Sequence, residues 1–266
     1  MADMPFKSEE DLRSFVQRYY QENVLNAAIA CCYEDRKQEQ MPGQCACYAP
    51  EQLKELPAEL LASACCCGNP LKQAGLKPGE SLLDLGCGTG LDLLLAASQL
   101  QPGGVAYGVD MNEVALERAE QYRRQLGLEN VRFLQGIIEA VPLPSESIDV
   151  IISNCVINLV PDKERVLREA YRLLKPGGRL ILADPVLEGE LPPSLRREPR
   201  AWATCLAGAL SAAAYRELLA TVGFREIVIE LAPRDWDWPS FVKQEERHRL
   251  EGHWLSASIR ARKLSA

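Results

Sequence analysis

The feature that most constrains this chain is a short apolar strand that runs without a break into three closely spaced glycines. Residues 81–85 read Ser-Leu-Leu-Asp-Leu; Gly86-Cys87-Gly88-Thr89-Gly90 follow, and then Leu91-Asp92. A strand, a tight glycine turn and a helix start in that order form the first turn of an open α/β sheet. Glycines at 86, 88 and 90 let the backbone reverse and let a ligand approach with no side chain in the way. The next expected strand, at 105–109, ends in Asp110. A carboxylate there can accept from both hydroxyls of a ribose. A solvated loop acid is the plainer reading of Asp110, and the glycine loop upstream disfavours it.

A dinucleotide loop reads G-x-G-x-x-G and seats pyrophosphate on the helix N-terminus. This loop reads G-x-G-x-G and continues into Asp92. An acid near that helix start repels pyrophosphate and suits the charged amino-acid end of S-adenosylmethionine.

The rest of the chain follows the same rhythm. Strands are expected at 131–135, 148–153 and 179–183. Helices are expected at 91–100, from a cap at Asn112 to about 126, and at 162–174, where Lys175-Pro176-Gly177-Gly178 is the stop. Such alternation gives a mostly parallel, doubly wound, Rossmann-like sheet with helices on both faces. After Pro185 the pattern loosens into helices at 202–210 and 212–222 and strands at 225–231 and 255–261. Ahead of the sheet come a helix at 8–27 with Ser8 as its cap, a polar loop at 31–44, a short helix within 49–60 and a turn-rich linker at 63–79. The division expected is a cysteine-rich helix and loop segment at 1–70, a cofactor-binding domain at 71–184 and a smaller C-terminal α+β region at 185–266.

Composition narrows the partners. With 266 residues, 47% hydrophobic and 25% charged, the chain reads as a soluble globular protein. A net charge of −7 argues against a nucleic-acid footprint, which wants clustered Lys and Arg. The basic groups Arg196-Arg197-Arg200 and Arg260-Arg262-Lys263 are expected on the solvated surface. No apolar run is long enough to span a membrane, and the first residues lack the core of an export signal. A cytoplasmic monomer is expected, with neither membrane nor nucleic acid as partner.

Ten cysteines stand at 31, 32, 45, 47, 65, 66, 67, 87, 155 and 205. In a reducing compartment thiols more often mean metal binding, redox chemistry or packing than disulfides. Cys155 follows the fourth strand, within Ser153-Asn154-Cys155-Val156-Ile157-Asn158-Leu159, and ligands of parallel sheets bind beyond strand C-termini. Cys205 falls in the helical stretch expected at 202–210, a segment able to cover that ligand. Taken singly, each is more often a packing cysteine. Cys45-x-Cys47 with Cys65-Cys66-Cys67 could instead serve zinc, although structural zinc sites prefer C-x₂-C pairs. The two histidines, His248 and His253, read as surface residues.

The phrases Leu-Asp-Leu-Gly-Cys-Gly-Thr-Gly at 83–90, Tyr-Gly-Val-Asp-Met-Asn at 107–112 and Leu-Lys-Pro-Gly-Gly-Arg-Leu at 174–180 resemble the class I methyltransferase family. The resemblance narrows at 153–163, Ser-Asn-Cys-Val-Ile-Asn-Leu-Val-Pro-Asp-Lys, which is similar to the arsenite S-adenosylmethionine methyltransferases. It extends to Cys67-Gly68-Asn69-Pro70, to Cys205-Leu206-Ala207-Gly208 and to Tyr19-Tyr20. The likeness covers roughly residues 15–225.

That resemblance implies S-adenosylmethionine as cofactor, with Asp84 and Gly86 beside its methionine portion. Gly88 and Gly90 complete the loop. Asp110, followed by Met111, takes the ribose, and Ile138 and Glu139 lie by the adenine. It also implies that Cys67, Cys155 and Cys205 bind trivalent arsenic, with a fourth cysteine at Cys31 or Cys32, Cys31 favoured. Arsenic(III) is soft and prefers thiolates. Three sulfurs would leave its lone pair free to meet the methyl group, so no general base is needed and alignment supplies much of the rate. Methylation oxidises arsenic. In this family the thiols form a disulfide that an external thiol of the glutathione or thioredoxin type reduces, and Cys67 with Cys31 or Cys32 are the candidates here. The implied role is arsenic detoxification. Two alternatives stand beside it: a methyltransferase for another small molecule such as a phenol, quinone or lipid, and a non-enzymatic metal- or metalloid-binding protein.

Overall fold

The structure is a computed structural model and describes residues 5–25, 47–63, 66–233 and 238–265. Cys31, Cys32, Cys45 and Cys65, the expected loop at 31–44 and Trp236 lie outside the described residues.

Helix α1 spans Glu9–Tyr19, and the Ser8 hydroxyl accepts from the Asp11 N–H over 3.1 Å, the N-cap expected from the sequence. The helix expected to reach residue 27 loses α geometry at Tyr20 and continues as a π turn, Tyr20–Leu25. Three helical turns follow: α2 (Pro50–Leu53), α3 (Ala58–Ala62) and α4 (Leu71–Ala74). The last lies inside the stretch expected to be turns alone.

The sheet then begins with β1 (Ser81–Leu85), α5 (Leu91–Ala96), β2 (Val105–Asp110) and α6 (Glu113–Gln125). The Asn112 side chain caps α6, accepting from the N–H groups of Val114 and Ala115. Next come β3 (Val131–Gln135), β4 (Ile148–Asn154), α7 (Lys163–Leu173) and β5 (Leu174–Leu187). The chain closes with α8 (Pro193–Arg196), α9 (Pro199–Ala203), α10 (Ala212–Val222), β6 (Arg225–Ala232), α11 (Gln244–Leu250) and β7 (Trp254–Arg262).

The seven strands form one sheet in the order β3-β2-β1-β4-β5-β7-β6. β1 to β5 pair in parallel, and β7 runs antiparallel to both β5 and β6. This is the mostly parallel architecture expected. Because strand side chains alternate between faces, Leu82 joins one core cluster, with Leu93, Ala96 and Leu100, while Leu83 and Leu85 join the other, with Val166, Leu167 and Tyr215. A central parallel strand is buried on both faces, and Leu82, Leu83 and Leu85 of β1 are accordingly all buried.

Three expectations are corrected. Lys175-Pro176-Gly177-Gly178 ends α7 but does not delay the strand. β5 starts at Leu174, and the register jumps from Ile148↔Leu174 to Val150↔Arg179 across the glycines, an irregularity rather than a loop. The segment 202–210 is not a helix. α9 starts at Pro199, ends at Ala203, and gives way to tight turns because Cys205 adopts φ 62°. Lys263 is not on the solvated surface. Its ammonium is buried and donates to the carbonyls of Leu174 (2.8 Å) and Tyr171 (3.1 Å) and to Glu146 (3.0 Å), fastening the end of β7 under α7.

Candidate active site

The order of the sheet reverses between β1 and β4, and a crevice opens beyond their C-terminal ends. A cavity fills it. Its walls come from the glycine turn after β1, the ends of β2 and β4, and α1 above. Asp84, Gly86, Gly88, Asp110, Met111, Ile138 and Glu139 all line it. Gly90 does not: it supplies the left-handed residue, φ 89°, from which α5 starts.

At Gly86 only glycine fits, because a Cβ there would lie 2.6 Å from both methyl carbons of Val156, and φ is +74°. The turn is held by the Gly86 N–H donating to Val109 O over 2.8 Å. Asp110 accepts from the N–H groups of Gly88 and Asn112, each over 2.8 Å. The carboxylate expected to meet a ribose thus also ties the glycine loop to α6.

The buried acids Asp84 and Asp92 and the partly buried Asp110 face this cavity. Burial raises the Asp84 carboxyl well above the usual range, and the negative charges of Asp92 and Asp110 raise it further. Burial lifts Asp92 to about 6, against the hydrogen bonds it accepts from Tyr48 and Asn154. Asp110 is raised by burial too, and its backbone donors oppose the shift. Oδ1 of Asp84 is buried and has no hydrogen-bond partner among the described residues. The cationic side chain lining the cavity among the described residues, Arg13, is paired with Glu139 over 3.0 Å. A cavity with an excess of buried carboxylate and an orphaned acceptor is built for a cationic ligand.

α1 is the roof, and sequence reasoning missed it. Arg13 pairs with Glu139, Gln17 donates to Met111 O over 3.1 Å, and the Tyr20 hydroxyl donates to Ala203 O over 3.2 Å. Leu12 and Val16 pack on Trp202. The sequence predicts the helix and its cap, but not that Leu12 and Val16 are the residues it buries or which surface it covers.

Beside the cavity Cys67, Cys155 and Cys205 form one buried cluster, with Leu159 packed against it, and of the three Cys155 lines the cavity. Three residues spread over the chain converge because each leaves a different element: the turn before α4, the end of β4, and the turn after α9. The sulfurs of Cys67 and Cys155 are in bonding contact, their Cα atoms 5.7 Å apart. The Cys205 thiol donates to Cys155 O over 3.2 Å. Through Cys155 the cluster and the cavity share a wall. The structure pairs Cys67 with Cys155, and the expected partners Cys31 and Cys32 lie outside the described residues. Cys87, in the glycine loop, stands apart from the cluster, its thiol raised by burial and by the charges of Asp110 and Asp84.

Behind Cys155 sits a buried polar group that the sequence did not reveal. Asp184 accepts from the Tyr215 hydroxyl over 2.6 Å and from the backbone N–H groups of Val156 and Asn158. It thereby fixes the turn that carries Cys155. Burial raises its carboxyl to about 7, and burial lowers the nearby Lys163 ammonium to about 8. The only available signal was an acid directly after the apolar strand 179–183. His248 and His253 are both exposed and do not line the cavity.

Residues 76–232 match the family described as "Methyltransferase domain". An arsenite methyltransferase of Halobacterium salinarum is 39% identical over 198 residues, 74% of this chain and 50% of that protein. An arsenite methyltransferase of Aquipseudomonas alcaligenes is 36% identical over 222 residues, 79% of this chain and 61% of that protein. The chain therefore spans about half to three fifths of the length of these curated relatives. The crystal structure of an arsenic(III) S-adenosylmethionine methyltransferase from Chlamydomonas reinhardtii superposes with a TM-score of 0.67 at 37% identity, covering 81% of this chain and 73% of that one. A methyltransferase domain over most of the chain, with this degree of identity across most of a solved relative, places the chain in the arsenite methyltransferase family.

Proposed function

We propose that the protein transfers a methyl group from S-adenosylmethionine to trivalent arsenic held by the thiolates of Cys67, Cys155 and Cys205. The observation that carries this reading is the shared wall. Three cysteine side chains cluster beside a cavity lined by the carboxylates of Asp84, Asp92 and Asp110, and Cys155 belongs to both.

S-adenosylmethionine fits the carboxylate end by charge, since its ammonium and sulfonium are both positive, and when bound it supplies an electrophilic methyl group and leaves as a neutral thioether. Asp84 and Asp92 are the groups suited to its amino-acid end. Asp110 suits a ribose, and Ile138 with Glu139 suits a base. The glycine turn leaves room for close approach, and α1 excludes water from above. At the other end the thiolates hold arsenic, whose lone pair is the nucleophile. No proton has to be removed, which agrees with the absence of histidine from the described lining residues.

Methyl transfer takes arsenic from the trivalent to the pentavalent state. Two electrons must return, and a pair of protein thiols can give them by forming a disulfide. The contact of Cys67 with Cys155 makes that pair a candidate beside Cys67 with Cys31 or Cys32. An external thiol of the glutathione or thioredoxin type then restores the thiols. Among the described residues no helix is long and apolar enough to cross a membrane. A cytoplasmic monomer with a role in arsenic detoxification, divided functionally at about residues 70 and 184, completes the proposal.

The test is arsenic binding by the reduced protein, measured by elemental analysis after gel filtration. The proposal expects one equivalent of arsenite bound at this site and its loss on Cys155→Ser or Cys205→Ser. Retained binding in both variants would move the thiol site elsewhere.

A further inference from the structure

Asn154, the last residue of β4, makes an unusual set of contacts. Its Oδ1 accepts from the Cys67 N–H over 3.0 Å. Its Nδ2 is shared among Gly68 O at 3.0 Å, Asp92 Oδ2 at 3.2 Å and the Tyr48 hydroxyl oxygen at 3.3 Å. Tyr48 in turn donates to Asp92 Oδ1 over 2.5 Å. One amide side chain thus touches the backbone of the first clustered cysteine, precedes the second in sequence, and binds the acid at the cofactor end. The other side of Cys67 is fixed independently, since the Ser256 hydroxyl donates to Cys67 O over 2.8 Å.

An amide is suited to this place. It must accept from a backbone N–H with one atom and donate to a carboxylate and a carbonyl with the other. A carboxylate could do the first but not the second, and would repel Asp92.

We propose that Asn154 is a positioning residue that fixes Cys67 opposite Cys155 and links that fix to Asp92, so that filling the cofactor end and closing the thiol end favour each other. The identity of the two ligands rests on the proposed function; the fixing of Cys67 does not. If the cationic end of a ligand engages Asp92, the carboxylate is held more firmly for Asn154 to donate to, and Cys67 is held in turn. Linkage makes the effect reciprocal.

The experiment equilibrates the full chain in glutathione redox buffers and reads the Cys67–Cys155 bridge by peptide mass spectrometry. The equilibrium constant of that bridge reports how well the two thiols are positioned, without arsenic. Asn154→Ala should lower it at least tenfold. Tyr48→Phe leaves the contact with Cys67 intact and should change it less than twofold. Saturating S-adenosylhomocysteine should raise the wild-type constant by about fivefold or more, a typical coupling. It should leave the constant of Asn154→Ala unchanged, although calorimetry still shows the nucleoside bound. Asn154→Asp keeps the acceptor for Cys67 and should retain most of the unliganded constant while losing the response. A purely structural role would lower the constant in Asn154→Ala and preserve the response to S-adenosylhomocysteine, and that outcome overturns the proposal. So does a wild-type constant unmoved by bound S-adenosylhomocysteine. If the wild-type protein fails to bind S-adenosylhomocysteine, the functional reading fails, while the unliganded comparison of the wild type with Asn154→Ala still decides whether Asn154 fixes Cys67.

Discussion

The Cys205 thiol reaches the backbone carbonyl of Cys155 over 3.2 Å, and both residues hold left-handed backbone, φ 62° and 60°. Side chains other than glycine seldom adopt that region, and it costs on the order of 1–2 kcal/mol per residue. Strain of this kind accumulates at functional sites, where the surrounding structure enforces it. Here tight turns after β4 and α9 aim two thiols at one point.

This strain predicts a reversed order of stability. Alanine is normally better tolerated than glycine, but at position 205 the left-handed backbone favours glycine. Cys205→Gly should be more stable than Cys205→Ala by about 1 kcal/mol, as read by urea unfolding. Equal stability, or the usual order, would show that the backbone there is relaxed.

The carboxylate cluster predicts a pH dependence. Asp92 titrates at about 6, and only its ionised form attracts a cation. Affinity for S-adenosylmethionine should therefore weaken as pH falls below about 6, by up to about tenfold per unit. Stability of the ligand-free protein should move the other way. The folded carboxyl binds its proton more tightly than the unfolded one, so this contribution is complete in acid and disappears as pH rises from about 4 through about 6. Calorimetric titration between pH 5 and 8 checks the first statement, and an affinity constant across that range contradicts it.

Asp84 carries an orphaned buried oxygen, and a neutral amide of the same shape removes its charge. Asp84→Asn should lose at least tenfold in affinity for S-adenosylmethionine without lowering the melting temperature of the free protein. A matched fall in both would mean that Asp84 is a structural residue.

Two glycines make steric predictions. A Cβ at Gly208 would lie 1.9 Å from the Asn158 carbonyl oxygen, behind the cysteine cluster. Backbone cannot yield as a side-chain end can, so Gly208→Ala should destabilise by about 2 kcal/mol or more. Gly86→Ala meets Val156, the neighbour of Cys155, and should weaken nucleoside binding and arsenic binding together. Loss of one without the other would contradict a shared wall.

The sequence and the structure agree most closely where local chemistry decides the outcome. The turn at Gly86, the cap at Asn112 and the carboxylate at Asp110 are all local, and each stands where its residue type led one to expect. The cysteines at 67, 155 and 205 have little in common with one another in the chain, and only a family likeness brought them together before the fold did. What stayed hidden depends on contacts between distant segments. Arg13 over Glu139, Asp184 under the Cys155 turn and Asn154 between Cys67 and Asp92 are long-range pairings that leave no periodicity. Trp-Ala-Thr-Cys-Leu-Ala has helical composition, yet Cys205 takes φ 62° and its thiol reaches the Cys155 carbonyl, a contact between residues 50 apart in the chain.

The central claim is that thiolates hold the acceptor where the methyl group arrives. Its most direct test incubates the reduced protein with arsenite, a thiol reductant and methyl-labelled S-adenosylmethionine, then separates the arsenic species. The account predicts labelled methylated arsenic from the wild type and none from Cys155→Ser. No labelled arsenical from folded, reduced wild-type protein, or undiminished label from Cys155→Ser, would contradict it.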